Sequence, residues 1–134
     1  MFVDASALVA ILAREDGHEA LTDCMDAAAR PMTSALAIFE AASAIARKKG
    51  IPVATAANEV DAFIEVAAID IAPLGEREAK AALRAFERFG KGRGHPARLN
   101  MVDCFAYACA ATRGVPLLFV GNDFVHTDVA RGLP

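Results

Sequence analysis

The chain alternates short apolar runs with longer segments whose apolar residues recur at helical spacing. It opens on Met1-Phe2-Val3, which predicts a strand, and reaches Asp4 at once. Ser6–Arg14 predicts a helix that is apolar nearly all round. Beyond Gly17, the residues Leu21, Cys24, Met25 and Ala28 mark one face of a second helix, with Glu19, Asp23 and Asp26 opposite. Met32–Ser34 predicts strand two, and Ala35–Arg47 a helix with apolar residues on every side. Gly50 and Pro52 punctuate its end. Val53–Ala67 is amphipathic, Ala68–Ala72 predicts strand three, and Glu76–Phe89 predicts a helix with Ala79, Ala82, Leu83, Phe86 and Phe89 inward. Gly90–Arg98 holds three glycines and a proline and predicts a loop. Met101–Thr112 is helical again, and Leu117–Val120 is a fourth strand with no polar residue.

Strands alternating with helices predict an α/β fold around a parallel sheet. Strands without polar positions suit a sheet covered on both faces. The expectation is a single domain over residues 1–134, a three-layer α/β/α sandwich with a central, mainly parallel sheet of four to five strands.

Composition adds little to this picture but removes alternatives. The 134 residues are 55% hydrophobic and include 31 alanines, which form helix readily and let helices approach closely. Disorder and low-complexity scaffolds are excluded. Three cysteines without C-x-x-C spacing predict reduced thiols. No apolar run reaches the roughly 20 residues of a membrane span, so a soluble, cytoplasmic protein is expected. The net charge of −3 argues, taken alone, against a protein coated in nucleic acid.

Four acids change that reading. Ligand sites in open parallel sheets lie beyond the carboxyl ends of the strands. Asp4 follows strand one directly, and Asp123 lies three residues past strand four. Glu40 is the only charged residue between Ala35 and Ala46, and Asp103 the only one between Met101 and Ala111. A buried carboxylate must be protonated, paired or bound to metal. Asp103 also completes a capping box with Asn100, a role compatible with facing the strand ends. Four acids in apolar settings predict one acidic pocket, and all-oxygen ligation suits Mg²⁺ or Mn²⁺. A haloacid-dehalogenase phosphatase needs a second Asp where Ser6 stands. A receiver domain needs an Asp after strand three and a Lys after a later strand, and neither is present.

Asp4-Ala-Ser6 after the first strand, Glu40 in its helix, Asn100-Met-Val-Asp103-Cys-Phe-Ala-Tyr-Ala and Gly121-Asn-Asp-Phe124 together resemble the PIN domain. More narrowly, they resemble the VapC ribonuclease toxins of bacterial VapBC toxin–antitoxin systems, over the whole chain. The resemblance implies a Mg²⁺- or Mn²⁺-dependent endoribonuclease, a homodimer, an RNA substrate and a cognate VapB-type antitoxin. By position, Asp4, Glu40, Asp103 and Asp123 match its acidic quartet, with Asp4 and Asp103 as the most direct metal ligands. Asn122 and Asp128 lie near the fourth position, and Ser6 and Thr127 match polar residues beside the site. The alternative is a non-catalytic PIN-like module that binds RNA or protein.

RNA must also be held. Arg88, Lys91, Arg93 and Arg98 fall within eleven residues that contain no acid, and Lys91 and Arg93 are the expected phosphate contacts. Setting the four pocket acids aside turns the net charge from −3 to +1, so a low pI and an RNA partner are compatible. The apolar excess of Ser6–Arg14 and Ala35–Ala46 predicts an exposed groove for a partner helix.

Overall fold

The structure, a computed structural model, describes residues 1–133. Its elements in chain order are β1 (Phe2–Val3), α1 (Ala5–Leu12), α2 (His18–Asp26), β2 (Met32–Ser34), α3 (Ala35–Lys49), α4 (Val53–Val66), β3 (Asp70–Ala72), α5 (Glu76–Phe89), α6 (Met101–Arg113) and β4 (Leu117–Leu118). The four strands are parallel, in the order β3-β2-β1-β4.

Two of the strands are only two residues long, and their side chains sort cleanly. Successive residues of a strand point to opposite faces. Val3 and Leu118 join a core with α1, α2, α3 and α4, whereas Phe2 and Leu117 join a second core with α5 and α6. Helices thus cover both faces, which explains why β1 and β4 carry no polar residue and gives the expected three layers.

The strand order fixes where a site forms. The chain steps from β1 outward to β2 and β3, then returns to place β4 on the other side of β1. The order reverses between β1 and β4, and the crevice at such a reversal opens at the carboxyl ends of the strands. Those ends lead into Asp4 and into the Gly121–Asp123 turn.

Several expectations shift at their edges. The first helix stops at Leu12, and Arg14 takes a left-handed φ of 51°. β3 starts at Asp70 because Ala68 is left-handed as well, with φ 50°. β4 ends at Leu118, where the chain turns away toward Gly121 at φ 100°. On α5, Leu83 points outward and is 69% exposed, while Ala81, Ala85 and the charged Glu78 are buried. Glu78 is tolerated inside because its carboxylate accepts from the Gly75 N–H at 3.0 Å and pairs with Arg113 at 3.2 Å. Apolar surface stays open in two places: Phe39 on α3 is 72% exposed, and a groove of about 430 Å³ runs between α5 and α6, lined by Ala79, Ala82, Leu83, Phe86, Met101 and Phe105.

Candidate active site

Asp4 is the N-cap of α1 and is almost fully buried. Its Oδ2 accepts from the Ser6 N–H at 3.0 Å and from the Ser6 hydroxyl at 2.6 Å. Its Oδ1 is buried and has no hydrogen-bond partner. Such an atom loses water without replacement, which is costly for a charged group. Burial accordingly pushes the Asp4 carboxyl above its ordinary range. The Ser6 bonds oppose that shift, and the charge of Asp123 adds to it.

Ser6 does a second job. Its Oγ accepts from the Val120 N–H at 3.0 Å. One hydroxyl therefore joins the end of β1 to the segment leaving β4.

Asp103 sits at the third position of α6. Asn100 accepts from Val102 N–H at 2.7 Å and Asp103 N–H at 3.0 Å, and Asp103 Oδ2 accepts from Asn100 N–H at 2.7 Å. The capping box locks the carboxylate against the helix start. Burial pushes its pKa up to about 6, opposed by the Asn100 bond and assisted by the charges of Asp4 and Asp123.

Glu40 is half-buried on α3, a helix whose N-terminus is capped by Ser34 accepting from Ala37 N–H at 3.2 Å. Its carboxyl is raised by burial first, then by Asp4, Asp103 and Asp123 in turn. Asp123 is exposed in the turn after β4. Its charge acts on the other three acids, which puts the four predicted acids within electrostatic reach of one another near the β1–β4 reversal.

The donor set is oxygen throughout, and the repulsion that raises these carboxyls is the kind a hard divalent cation relieves. The unpartnered Asp4 Oδ1 is a free ligand atom for such an ion. Among the described residues no three carboxylate, imidazole or thiol groups stand close enough to enclose a metal between them. The pocket is thus an opposed set of charges rather than a closed chelate. Its donors fit Mg²⁺ or Mn²⁺ in chemistry, since these ions keep several waters and take one or two carboxylates.

The remaining candidates divide. Asn122 is exposed, and its backbone carbonyl accepts from Val125 N–H at 3.2 Å. Thr127 Oγ1 donates to the Phe124 carbonyl at 2.8 Å, a bond internal to the turn. Both oxygens of Asp128 are engaged: the Tyr107 hydroxyl donates to one at 2.5 Å and Arg88 to the other at 2.8 Å. Those bonds hold its carboxyl below the usual range. By periodicity alone Tyr107 is one more apolar position of α6. It is also the only tyrosine in the chain, set in an otherwise apolar helix, and that is the signal that its hydroxyl has a partner.

Lys91 and Arg93 are exposed on the loop after α5. Gly90 and Leu99 bridge its ends, so the loop closes one residue before the Asn100 cap and its basic groups ride beside the start of α6. The Arg93 guanidinium lies 5.2 Å from the centre of the Phe86 ring. Arg88, by contrast, is paired with Asp128.

Four parallel strands, helices on both faces and acids gathered at the strand-order reversal define a PIN-type α/β protein, and a sequence model of the PIN domain matches residues 1–130. Ribonuclease VapC28 of Mycobacterium tuberculosis is 42% identical over 133 residues, covering 99% of this chain and 98% of its own. A VapC ribonuclease of Rhizobium meliloti is 39% identical and ribonuclease VapC42 of M. tuberculosis 35%, each covering 96% of this chain and at least 96% of its own. The chain belongs to the PIN-domain family and, within it, to the VapC ribonucleases.

Proposed function

We propose that this protein is the toxin of a VapBC-type toxin–antitoxin pair, an endoribonuclease that hydrolyses RNA phosphodiester bonds at the pocket of Asp4, Glu40, Asp103 and Asp123. The observation that carries the reading is the buried, unpartnered Asp4 Oδ1 at the β1–β4 reversal, with three further acids in electrostatic reach. Asp4 and Asp103 would hold a divalent ion, Mg²⁺ or Mn²⁺. Such an ion supplies positive charge that lowers the pKa of a coordinated water and offsets charge on the phosphate.

The chain's own groups do the rest. Ser6 fixes the Asp4 carboxylate, and Asn100 fixes that of Asp103, so neither reorganises during the reaction. Glu40, its proton affinity raised by burial and by its neighbours, serves as the base. Its carboxylate takes the proton of the attacking water as oxygen adds to phosphorus, and the bond to the leaving ribose oxygen breaks as that oxygen takes a proton from solvent. Asp123, exposed at the mouth, orients that water. Lys91 and Arg93 hold the flanking phosphates.

A cognate VapB-type antitoxin restrains the enzyme in the cytoplasm, and the α5–α6 groove serves a homodimer. That groove gathers Leu83, Phe86, Met101 and Phe105 in one apolar face, larger than scattered surface residues account for. No helix among the described residues is long and apolar enough to cross a membrane.

The test is cleavage of a mixed RNA population by purified protein with added Mg²⁺ or Mn²⁺, with EDTA, and with Asp4→Asn. Cleavage that needs the metal and Asp4 is expected. RNA binding without cleavage under every condition would favour the non-catalytic module.

A further inference from the structure

Asp123 is the one pocket acid on a loop rather than on a strand end or helix, and its side chain is exposed. Its position is therefore set by whatever holds that loop. Ser6 holds the entry, through the Val120 N–H. The middle is fixed by Phe124, buried in the α5–α6 core with its ring 5.1 Å from that of Phe119. Beyond the loop, the chain returns to β4, where Leu117 N–H donates to Ala130 and Gly132 N–H to Leu117, both at 2.8 Å.

Between Asp123 and that return stands Asp128, the point where the loop is tied to the helical layer. One oxygen takes the Tyr107 hydroxyl from α6 and the other takes Arg88 from α5. The Arg88 ion pair is half-exposed on both sides and contributes little by itself. The Tyr107 bond is different, because Tyr107 is 9% exposed and its ring packs edge-on against Phe89 at 5.5 Å. Its hydroxyl is aimed by a rigid neighbourhood at one carboxylate oxygen. Asp103 lies one helical turn earlier on the same helix, four residues before Tyr107. The helix that presents one pocket acid thus also anchors the loop that presents another.

We propose that Asp128, bonded to Tyr107 and Arg88, is a positioning residue that sets the loop carrying Asp123 against the acidic pocket. This rests on the ribonuclease reading for its effect on rate, but not for its effect on the loop. Asp128→Ala is compared with Asp128→Asn, whose amide oxygen still accepts the Tyr107 hydroxyl, and with Tyr107→Phe, which keeps the ring and its packing. Two readouts are taken: kcat and KM on RNA with Mg²⁺, and backbone hydrogen exchange across residues 119–128.

The expected result for Asp128→Ala is a kcat at least tenfold lower, with KM within twofold of wild type. Exchange should be faster within 119–128 and unchanged in α3. Asp128→Asn should recover most of kcat, and Tyr107→Phe should lose part of it. Wild-type kcat in Asp128→Ala overturns the proposal, and so does an effect confined to KM, which would place Asp128 against the substrate. Unchanged exchange in 119–128 overturns it too. Should Asp128→Ala not fold, Tyr107→Phe decides by the same two readouts. A wild type that cuts no RNA removes the ribonuclease reading, and the exchange measurement then still decides the clamp.

Discussion

Glu78 and Asp103 occupy the same place in successive helices, and their carboxyls are shifted in opposite directions. Each is the third residue of its helix, each is buried, and each accepts from the N–H of the residue that caps that helix, at 3.0 and 2.7 Å. Glu78 lies below its ordinary range, held there first by the Gly75 N–H and also by Arg77 and Arg113. Asp103 rises to about 6, chiefly by burial, with Asp4 and Asp123 as its charged neighbours. The local motif is shared; burial dominates at Asp103, and Glu78 has arginines beside it where Asp103 has acids. A structural acid has its arginine, whereas a site acid is left with other acids.

Asp103→Asn is expected to stabilise the metal-free protein while abolishing cleavage. A carboxyl raised in the fold contributes stability that is present below its unfolded pKa and is lost as pH rises through its folded value. For Asp103 that window runs from ordinary carboxylate pH up to about 6, and the loss is at most about 3 kcal/mol. Asparagine keeps the acceptor for Asn100 and removes the charge. In EDTA at pH 7.5 the variant should melt several degrees above wild type, and at pH 4 the two should coincide. Thermal melts at both pH values check this, and an unchanged Tm at pH 7.5 would count against it.

Glu78→Gln should do the reverse. It leaves Arg113, itself largely buried, without its counter-charge, and breaking a buried pair costs about 3–5 kcal/mol. The low pKa of Glu78 also means that its contribution is present at neutral pH and is lost as pH falls through the acid range. Urea titrations at pH 7 should show a lower midpoint with the slope unchanged. If RNA cleavage is assayed well below that midpoint, the rate should be near that of wild type.

The contrast also explains which parts of the structure the sequence could reveal. Elements with strong periodicity or strong stop signals were legible: α6 opens at Asn100 and closes at Gly114, whose φ of 63° only glycine adopts easily. The burial of Asp4 and Asp103 is legible because one ends an apolar strand and the other is the only charge in an apolar run. The facing of α5 was not, because Ala79, Ala82, Leu83 and Phe86 form a stripe whether it meets the core or an open groove. Periodicity reports that a face is apolar, not what covers it. Closeness in sequence to Asp123 makes Asp128 a candidate ligand, and its partners stay hidden in the sequence because they come from helices 21 and 40 positions earlier.

Replacing Lys91 and Arg93 together with alanine should weaken RNA binding and flatten its dependence on salt. Both side chains are exposed, and among the described residues neither is held in an ion pair in the way Arg88 is. For single-stranded nucleic acid, each phosphate that a protein no longer neutralises lowers the slope of log K against log salt by about 0.7. The double variant should therefore lose roughly 1.4 from that slope, measured by fluorescence anisotropy on an oligoribonucleotide with Asp4→Asn in both proteins to prevent cutting. An unchanged slope would remove the loop from the RNA interface.

Stabilisation by Mn²⁺ should itself depend on pH, in the direction opposite to the metal-free protein. Protons and the cation compete for the same oxygens, because a carboxylate must be ionised to ligate. Near pH 5 Asp103, whose pKa is about 6, is mostly protonated, and Asp4 and Glu40 are shifted the same way. At pH 8 Asp103 is ionised, so a bound ion gains that ligand and relieves the repulsion that raises these carboxyls. A ligand at a hundred times its Kd adds about 2.7 kcal/mol, which for a domain of this size raises Tm by roughly 10 °C. The rise on adding Mn²⁺ should be close to that at pH 8, small at pH 5, and absent at both in Asp4→Asn. An equal rise at both pH values, or one that survives Asp4→Asn, would mean that the ion binds somewhere other than this pocket.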